Sequence, residues 1–136
     1  MFQGRPQSAG LAGVGTDIVE INRVRKAVER GGRRFLERVY TSAEIEFCDG
    51  VKDRFASYAA RFAAKEAVLK ALGSGLAGCR WVDVEVRREK GSRPEVLLHG
   101  AAARLAKAQG IEAVLLSLSH SRDYAVAFAV AAGEGV

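Results

Sequence analysis

Five stretches of apolar or alternating residues predict β-strands. They are residues 11–21, 82–87, 95–99, 114–120 and 124–130. In 82–87, valines alternate with charged side chains, which predicts one buried and one solvated face. The last two stretches flank residues 121–123 and therefore predict a hairpin. The strand after this turn has large side chains on one face and alanines on the other, so its alanine face can pack against a helix or a second subunit.

A spacing of three to four residues between apolar positions predicts helices over much of the remaining chain. They are expected at about 21–30, 35–39, 42–49, 54–72 and 101–109. Gly31-Gly32 should end the first helix, residues 41–44 have the spacing of a capping box, and Asp53 can cap the long helix. Residues 73–78 should end that helix in a flexible loop. This order of elements favours an α+β fold with an antiparallel sheet and a long central helix.

Length and composition fit a soluble globular protein. The chain has 136 residues, of which 49% are hydrophobic, and it contains no apolar run long enough to cross a membrane. We expect residues 1–10 to form a flexible tail and residues 11–136 to form a single domain. The tail lacks the apolar core of a secretory signal, so we expect a cytoplasmic protein. Cys48 and Cys79 have neither zinc-site nor disulfide spacing and are predicted to be small buried hydrophobic residues.

A net charge of +5 favours an acidic partner or a polyphosphate ligand. On the first helix, Val24 and Val28 form an apolar stripe, while Arg23, Lys26 and Arg30 lie along another face. This basic face can receive an acidic helix or a nucleic-acid backbone, or it can be a solvated surface without a partner. A nucleic-acid-binding module without catalysis is therefore the alternative to an enzyme.

One acidic residue of the long helix lies where an apolar side chain is expected. Glu66 falls on the apolar stripe between Phe62 and Leu69, and Lys70 follows one turn later. An ionised carboxylate beside such a stripe needs a cation or hydrogen-bond donors. The alternative interpretation is an exposed ion pair between Glu66 and Lys70, which is common on helices.

Asp17 is a second acid with apolar neighbours, since it shares a strand face with Gly15, Val19 and Ile21. An aspartate next to glycine in a strand suggests a ligand or metal close to the backbone; the alternative is a cap for the following helix. Asp17 and Glu66 together predict a Mg²⁺ site, because this ion takes one or two carboxylates, water and phosphate oxygens. Such a site implies a reaction at a phosphate group. A Mg²⁺-dependent phosphohydrolase, with water as the nucleophile, is therefore a further alternative for the function.

Other motifs carry less information. His120, at the mouth of the hairpin, can donate to a phosphate or a ribose, or it can be a solvated residue. The segment 119–121 does not match the serine nucleophile elbow. The pair Gly13-x-Gly15 lacks the third glycine of a dinucleotide-binding turn and lies at the start of a strand.

Three segments together resemble the holo-acyl-carrier-protein synthases, the short 4′-phosphopantetheinyl transferases. Residues 13–21 (GVGTDIVEI) resemble the N-terminal signature of that family, residues 61–73 (RFAAKEAVLKALG) the central one and residues 117–121 (SLSHS) the C-terminal one. The similarity spans roughly residues 11–131. Two departures are the long N-terminal tail and the turn at 91–94, which is one residue longer than the family's usual turn.

The resemblance implies that the protein transfers the 4′-phosphopantetheine arm of coenzyme A to a serine of apo-acyl carrier protein. The other product would be adenosine 3′,5′-bisphosphate, and the reaction would support fatty acid biosynthesis. The resemblance also implies a Mg²⁺ requirement and a homotrimer with active sites between subunits. It implies neither a membrane nor a nucleic acid as a partner.

The resemblance also implies roles for single residues. Asp17 and Glu66 match the metal ligands, and Glu66 and Lys70 match catalytic positions. Glu66, acting directly or through water, is the leading hypothesis for the base that takes the serine proton. The positions implied for binding coenzyme A are Arg61, Lys70, Gly73 and His120. The positions implied for docking the carrier protein are Arg23, Lys26 and Arg30.

Overall fold

The computed structural model describes residues 10–73, 77–89 and 91–133. In chain order the elements are β1 (Leu11–Glu20), α1 (Ile21–Val39), α2 (Ser42–Asp49), α3 (Arg54–Leu72), a 3₁₀ turn (Trp81–Asp83), β2 (Val84–Arg87), β3 (Glu95–Leu98), α4 (Gly100–Ala108), β4 (Ile111–His120) and β5 (Tyr124–Gly133). The predicted α+β class and the long central helix are confirmed. Apart from Gly10, the expected tail lies outside the described residues, as do residues 74–76 of the expected flexible loop.

Two antiparallel sheets surround the central helix α3. The larger sheet has the order β1-β5-β4, and β2 pairs with β3 in a separate hairpin. The alanine face of β5 is fully buried and shares its core clusters with alanines of α3, one cluster holding Ala125 and the other holding the remaining three. Its members are Ala125, Ala127, Ala129 and Ala131. The alanine face therefore packs against a helix and is not available to a second subunit.

Two glycines of β1 allow this strand to lie directly against the backbone of α3. A Cβ atom on Gly13 would lie 2.1 Å from the carbonyl oxygen of Ala71, and one on Gly15 would lie 2.0 Å from that of Ala67. Side-chain atoms cannot occupy such distances. The close approach at Gly15 is made by the helix, which brings α3 beside Asp17. The ligand or metal expected at Asp17 stays a prediction.

The local helix signals are confirmed. Thr41 and Glu44 form the capping box of α2, and the Asp53 carboxylate caps α3 by accepting from the Ala56 amide at 3.2 Å. Val24 and Val28 are buried. The predicted break at Gly31-Gly32 is confirmed, because Gly32 has a non-helical backbone (φ 55°, ψ −141°) at a kink that separates two helical segments within α1.

The second sheet differs from the prediction of one solvated face. Asp83 and Glu85 are buried, although both alternate with valines. Asp83 accepts a hydrogen bond from the backbone amide of Arg80 at 3.0 Å, and Glu85 Oε1 lies 2.7 Å from His99 Nε2. These partners compensate the buried carboxylates. The strand also begins two residues later than expected, because Trp81–Asp83 forms the 3₁₀ turn.

Both cysteines are buried, as predicted. Cys48 is inaccessible to solvent and lies in the cluster between α1, α2 and α3. Cys79 is 8% exposed and packs against the alanines of α3. Among the described residues, no helix is both long enough and apolar enough to cross a membrane.

Two buried tyrosines should make the fold sensitive to alkali. The Tyr40 hydroxyl donates to the Tyr58 carbonyl and the Tyr58 hydroxyl donates to Asp49, each at 2.8 Å. Burial raises the pKa of both hydroxyls, and for Tyr58 the hydrogen bond to Asp49 raises it further. The folded protein therefore keeps protons that the unfolded chain loses above about pH 10, so stability should fall as the pH rises past that value.

The tyrosinate absorbance of a Tyr124→Phe variant checks this prediction, because Tyr40 and Tyr58 are then the remaining tyrosines. We expect this absorbance to appear together with the loss of helical circular dichroism. Ionisation near pH 10 in a protein that keeps its helical signal would contradict it.

Candidate functional site

The contact between β1 and α3 brings three of the expected site residues together. Asp17 lies in β1, and Glu66 and Lys70 lie one turn apart on α3. The Lys70 ammonium lies 3.3 Å from Asp17 Oδ1 and donates to the Thr16 carbonyl at 2.9 Å. Lys70 thus pairs with Asp17 across the two elements. The alternative interpretation, an isolated ion pair between Glu66 and Lys70, did not include this contact. Asp17 is not a helix cap, because the N-cap of α1 is Glu20.

Asp17 and Glu66 line one cavity of about 330 Å³, which we call the carboxylate cavity. Arg23 of α1 and the Phe62 ring also line it. Burial raises the pKa of Glu66, the negative charge of Asp17 raises it further, and Lys70 opposes both effects. Two carboxylates in one cavity repel each other, so a cation bound between them would be stabilised by both.

The donor set of this cavity fits a magnesium ion. No cluster of three or more histidine, cysteine, aspartate or glutamate side chains suited to a metal occurs in the described part of the chain. Mg²⁺ does not need such a cluster, because it keeps several waters and binds through one or two carboxylates together with phosphate oxygens. Asp17 and Glu66 supply two carboxylates, and the cavity leaves space for the remaining ligands.

Arg61 and His120 line a second cavity, also of about 330 Å³, which we call the arginine cavity. Arg61 is only 3% exposed, its Nη1 donates to Ser57 Oγ at 3.1 Å, and its guanidinium lies 4.2 Å from the centre of the Phe47 ring. Its Nε and Nη2 atoms are buried without a hydrogen-bond partner. Unsatisfied buried donors are costly, and the positive charge of this guanidinium at the cavity wall attracts an anion.

The remaining expected site residues lie outside these two groups. Lys26 and Arg30 are exposed on α1. Gly73 ends α3 in the left-handed conformation (φ 81°), and its amide donates to carbonyls of the last helical turn. Among the described residues, the two cavities share no lining side chain.

Two polar features were missed by the sequence analysis. Arg88, just after β2, lines the arginine cavity, and no sequence signal distinguishes it from its neighbour Arg87. Lys65 is fully buried and pairs with the buried Glu44 at 2.7 Å. A signal for Lys65 did exist, because the alanines at 63, 64 and 67 indicate a helix that is buried around most of its circumference.

Comparison with known proteins identifies the class to which this fold and site belong. The family model described as the 4′-phosphopantetheinyl transferase superfamily matches residues 13–129, and the chain belongs to this superfamily. The resemblance noted from the three sequence segments is therefore confirmed.

Within this superfamily, the chain is similar to individual holo-[acyl-carrier-protein] synthases. The chain is 53% identical over 123 residues to the holo-[acyl-carrier-protein] synthase of Desulforudis audaxviator, which covers 90% of this chain and 94% of that protein. The crystal structure of holo-[acyl-carrier-protein] synthase from Neisseria meningitidis superimposes with a TM-score of 0.81 at 32% identity, covering 89% and 98% of the two chains. The Helicobacter pylori synthase in complex with coenzyme A gives a TM-score of 0.77 at 32% identity, covering 88% and 99%.

Proposed function

We propose that the protein transfers the 4′-phosphopantetheine arm of coenzyme A to a serine of apo-acyl carrier protein, in the cytoplasm and in support of fatty acid biosynthesis. The observation that carries this proposal is the carboxylate cavity, where Asp17 of β1 and Glu66 of α3 meet beside Lys70. This constellation lies within the region that matches the transferase superfamily. The close similarity to a holo-[acyl-carrier-protein] synthase supports the choice of substrates.

In the reaction, the serine oxygen of the carrier protein forms a bond to the phosphorus that bears the pantetheine arm. The bond from that phosphorus to the bridging oxygen breaks, and adenosine 3′,5′-bisphosphate leaves with the electron pair. Asp17 and Glu66 would hold Mg²⁺, which when bound offsets the negative charge of the pyrophosphate. The Lys70 ammonium, held at Asp17, adds a further positive charge at this place. Glu66 accepts the serine proton directly or through water.

The arginine cavity would bind an anionic part of coenzyme A through Arg61 and His120. The positive charge of Arg61 supports this role, because its side chain lines the cavity and attracts a phosphate or pyrophosphate group. Arg88 lines the same cavity and adds positive charge to it. Gly73, at the end of α3, is proposed as a further contact to coenzyme A.

An Arg61→Gln variant should raise the KM for coenzyme A by about 10- to 100-fold, because charge-assisted hydrogen bonds each contribute about 1.5–3 kcal/mol. The matched control is Arg54→Gln on the same helix, whose guanidinium also packs on an aromatic ring, that of Phe55, at 4.8 Å. Steady-state kinetics of both variants, with coenzyme A varied, make the comparison. An unchanged KM in Arg61→Gln would exclude this residue from coenzyme A binding.

The basic face of α1, formed by Arg23, Lys26 and Arg30, would dock the acidic carrier protein. All three side chains are exposed. Arg23 also lines the carboxylate cavity, so a partner bound to this face lies next to the proposed reaction site. This proximity would bring the serine of the carrier to Glu66.

We also propose a homotrimer, assembled through the outer face of the larger sheet. This face exposes large apolar side chains, with Val14 at 59%, Ile18 at 62% and Phe128 at 47% exposure. The others are Leu11, Leu115, Tyr124 and Val126. Contiguous apolar patches of this kind usually mark an interface. The proposed interface therefore lies on the opposite side of the sheet from the alanine face. From the sequence, a second subunit could also have packed on that alanine face.

A Phe128→Glu variant should dissociate this assembly, because it places a charge in the centre of the apolar patch. Native mass spectrometry should give about three times the 14.6 kDa chain for the parent and a single chain for the variant. Lys52→Glu, at an exposed position away from the sheet, is the control and should stay trimeric. A parent that is monomeric at micromolar concentration would contradict the proposal.

Intact-mass spectrometry of an apo-acyl carrier protein tests the proposed function. The carrier is incubated with this protein and coenzyme A, in Mg²⁺ or in EDTA, and a carrier whose acceptor serine is alanine is the control. A gain of one phosphopantetheine arm, with Mg²⁺ only and at the acceptor serine only, is expected. Release of adenosine bisphosphate without any carrier would indicate a phosphohydrolase instead, and no gain across several carriers would contradict the transfer.

A further inference from the structure

Lys65, the residue immediately before Glu66, makes a buried polar network that the proposed reaction does not use. Its side chain is inaccessible to solvent, and its ammonium donates to Glu44 Oε1 at 2.7 Å, to the Trp81 carbonyl at 3.2 Å and to the Val84 carbonyl. These acceptors come from α2, the 3₁₀ turn and β2. All three ammonium donors are satisfied, each by a different element.

The partner carboxylate is equally constrained. Glu44 is 1% exposed, and its Oε1 also accepts from the Thr41 amide at 2.9 Å, in the capping box of α2. Its Oε2 accepts from the Val86 amide of β2 at 2.9 Å. One carboxylate therefore caps a helix, holds a strand and neutralises the lysine of a second helix.

The network is connected to the carboxylate cavity by two routes. Successive residues of a helix point about 100° apart, so anchoring Lys65 fixes the rotation of α3 and with it the direction of Glu66. In addition, the Trp81 carbonyl is held by Lys65, while the Trp81 ring packs on the Phe62 ring with 4.9 Å between centres. Phe62 lines the cavity together with Asp17 and Glu66.

A buried ion pair contributes little net stability to a core, because both charges must be desolvated. Proteins in which apolar side chains of similar volume replace such a pair are often equally stable. Its directional bonds, however, specify one arrangement among the four elements that meet here. We propose that Lys65 and Glu44 are positioning residues for the transfer reaction, whose buried pair orients α3 so that Glu66 and Lys70 meet Asp17. This inference rests on the site residues proposed above.

The test separates positioning from stability with a double variant, Glu44→Gln/Lys65→Met. Glutamine keeps an acceptor for the α2 cap, and no buried charge is left unpaired, so the double variant should fold. The control is Tyr58→Phe on the same helix, which loses the hydrogen bond to Asp49 and leaves the network intact. Each protein is measured by urea unfolding, by Mn²⁺ binding calorimetry without substrates, and by kcat and KM for coenzyme A.

We expect the double variant to lose about 10- to 100-fold in kcat, since a misplacement of about 1 Å in an active site can cost that much. Mn²⁺ should bind about tenfold more weakly, while the KM for coenzyme A stays within threefold. Tyr58→Phe should retain kcat and Mn²⁺ affinity at a similar or lower urea midpoint. A folded double variant with parental kcat and Mn²⁺ affinity, or a Tyr58→Phe protein with the same losses, would overturn the proposal.

A Lys65→Arg variant covers the case in which the double variant does not fold. It keeps the charge opposite Glu44 but changes the position of the donors, and the same selective loss of kcat and Mn²⁺ affinity is expected. Parental values in folded Lys65→Arg would count against positioning. Failure of the function itself gives a different result, because the parent protein would then not modify the carrier, or Asp17→Asn would leave Mn²⁺ affinity unchanged.

Discussion

Replacing Glu66 with glutamine should lower kcat for carrier-protein modification by about 10³-fold, because the change removes both a ligand of the proposed metal site and the proposed base. General-base catalysis alone contributes about 10²- to 10⁴-fold. Glutamine retains the shape of the side chain, so α3 and the cavity should keep their structure. The rate is measured by intact mass of the carrier protein at saturating coenzyme A.

The same variant should be at least as stable as the parent in EDTA at neutral pH. Burial and Asp17 raise the pKa of Glu66, so the folded state favours the protonated carboxyl more than the unfolded chain does. The stability that protonated Glu66 contributes is present in full below the pKa of Glu66 in the unfolded chain. It is lost as the pH rises through the pKa of Glu66 in the folded protein. An ionised Glu66 is therefore unfavourable at neutral pH. Urea unfolding in EDTA provides the measurement.

Glu112→Gln is the matched control, since Glu112 is exposed on β4 and outside the carboxylate cavity. It should keep both kcat and stability. Undiminished turnover of Glu66→Gln would remove Glu66 from the mechanism. A loss of helical circular dichroism in Glu66→Gln would instead show that the side chain supports the fold.

Replacing Gly15 with alanine should cost roughly 3 kcal/mol or more of unfolding free energy, at the upper end of overpacking effects. The new Cβ would lie 2.0 Å from the Ala67 carbonyl oxygen and 2.9 Å from the Ala71 amide nitrogen, and backbone atoms of a buried helix cannot move aside cheaply. β1 would be pushed away from α3. Activity should fall as well, because this contact holds Asp17 beside Lys70.

Gly50→Ala is the corresponding control, because Gly50 has a helical backbone conformation and its added Cβ would lie 3.4 Å from the nearest atom, the Glu46 carbonyl oxygen. The unfolding free energy should change by no more than about 0.5–1 kcal/mol, in the stabilising direction. Urea unfolding of both variants is compared at one protein concentration. Equal stability of Gly15→Ala and the parent would mean that β1 and α3 do not approach as closely as described.

The sequence predicted those parts of the fold that depend on neighbouring residues. The capping box at Thr41 and the cap at Asp53 need only residues within one helical turn, so their spacing is visible in the chain. The hairpin of β4 and β5 follows from two strand patterns around a short turn. The break at Gly31-Gly32 was predictable for the same reason, and Val28, Leu36 and Val39 place the helical segments on both sides of the kink in one core cluster.

The candidate site was predictable only as a set of residues. Asp17, Glu66 and Lys70 stood out because charged side chains occupied positions with apolar neighbours, and the family resemblance connected them. Their grouping, with Lys70 3.3 Å from Asp17, depends on how β1 lies on α3. The division of Arg61 and His120 into a separate cavity from Asp17 and Glu66 could not be read from their spacing in the chain.

The fold class, the long central helix and the family could be predicted from the chain, since they depend on periodicity, caps and contiguous motifs. Tertiary structure alone decided which charges are buried and with which partners. Glu44 looks like an ordinary surface residue in the chain, and Glu85 looks like part of the solvated face of a strand, yet both are buried. The alanines around Lys65 indicate a buried helix, but they do not identify Glu44 as its partner. Burial and compensation of a charge depend on groups that are distant in sequence and meet only when the elements pack.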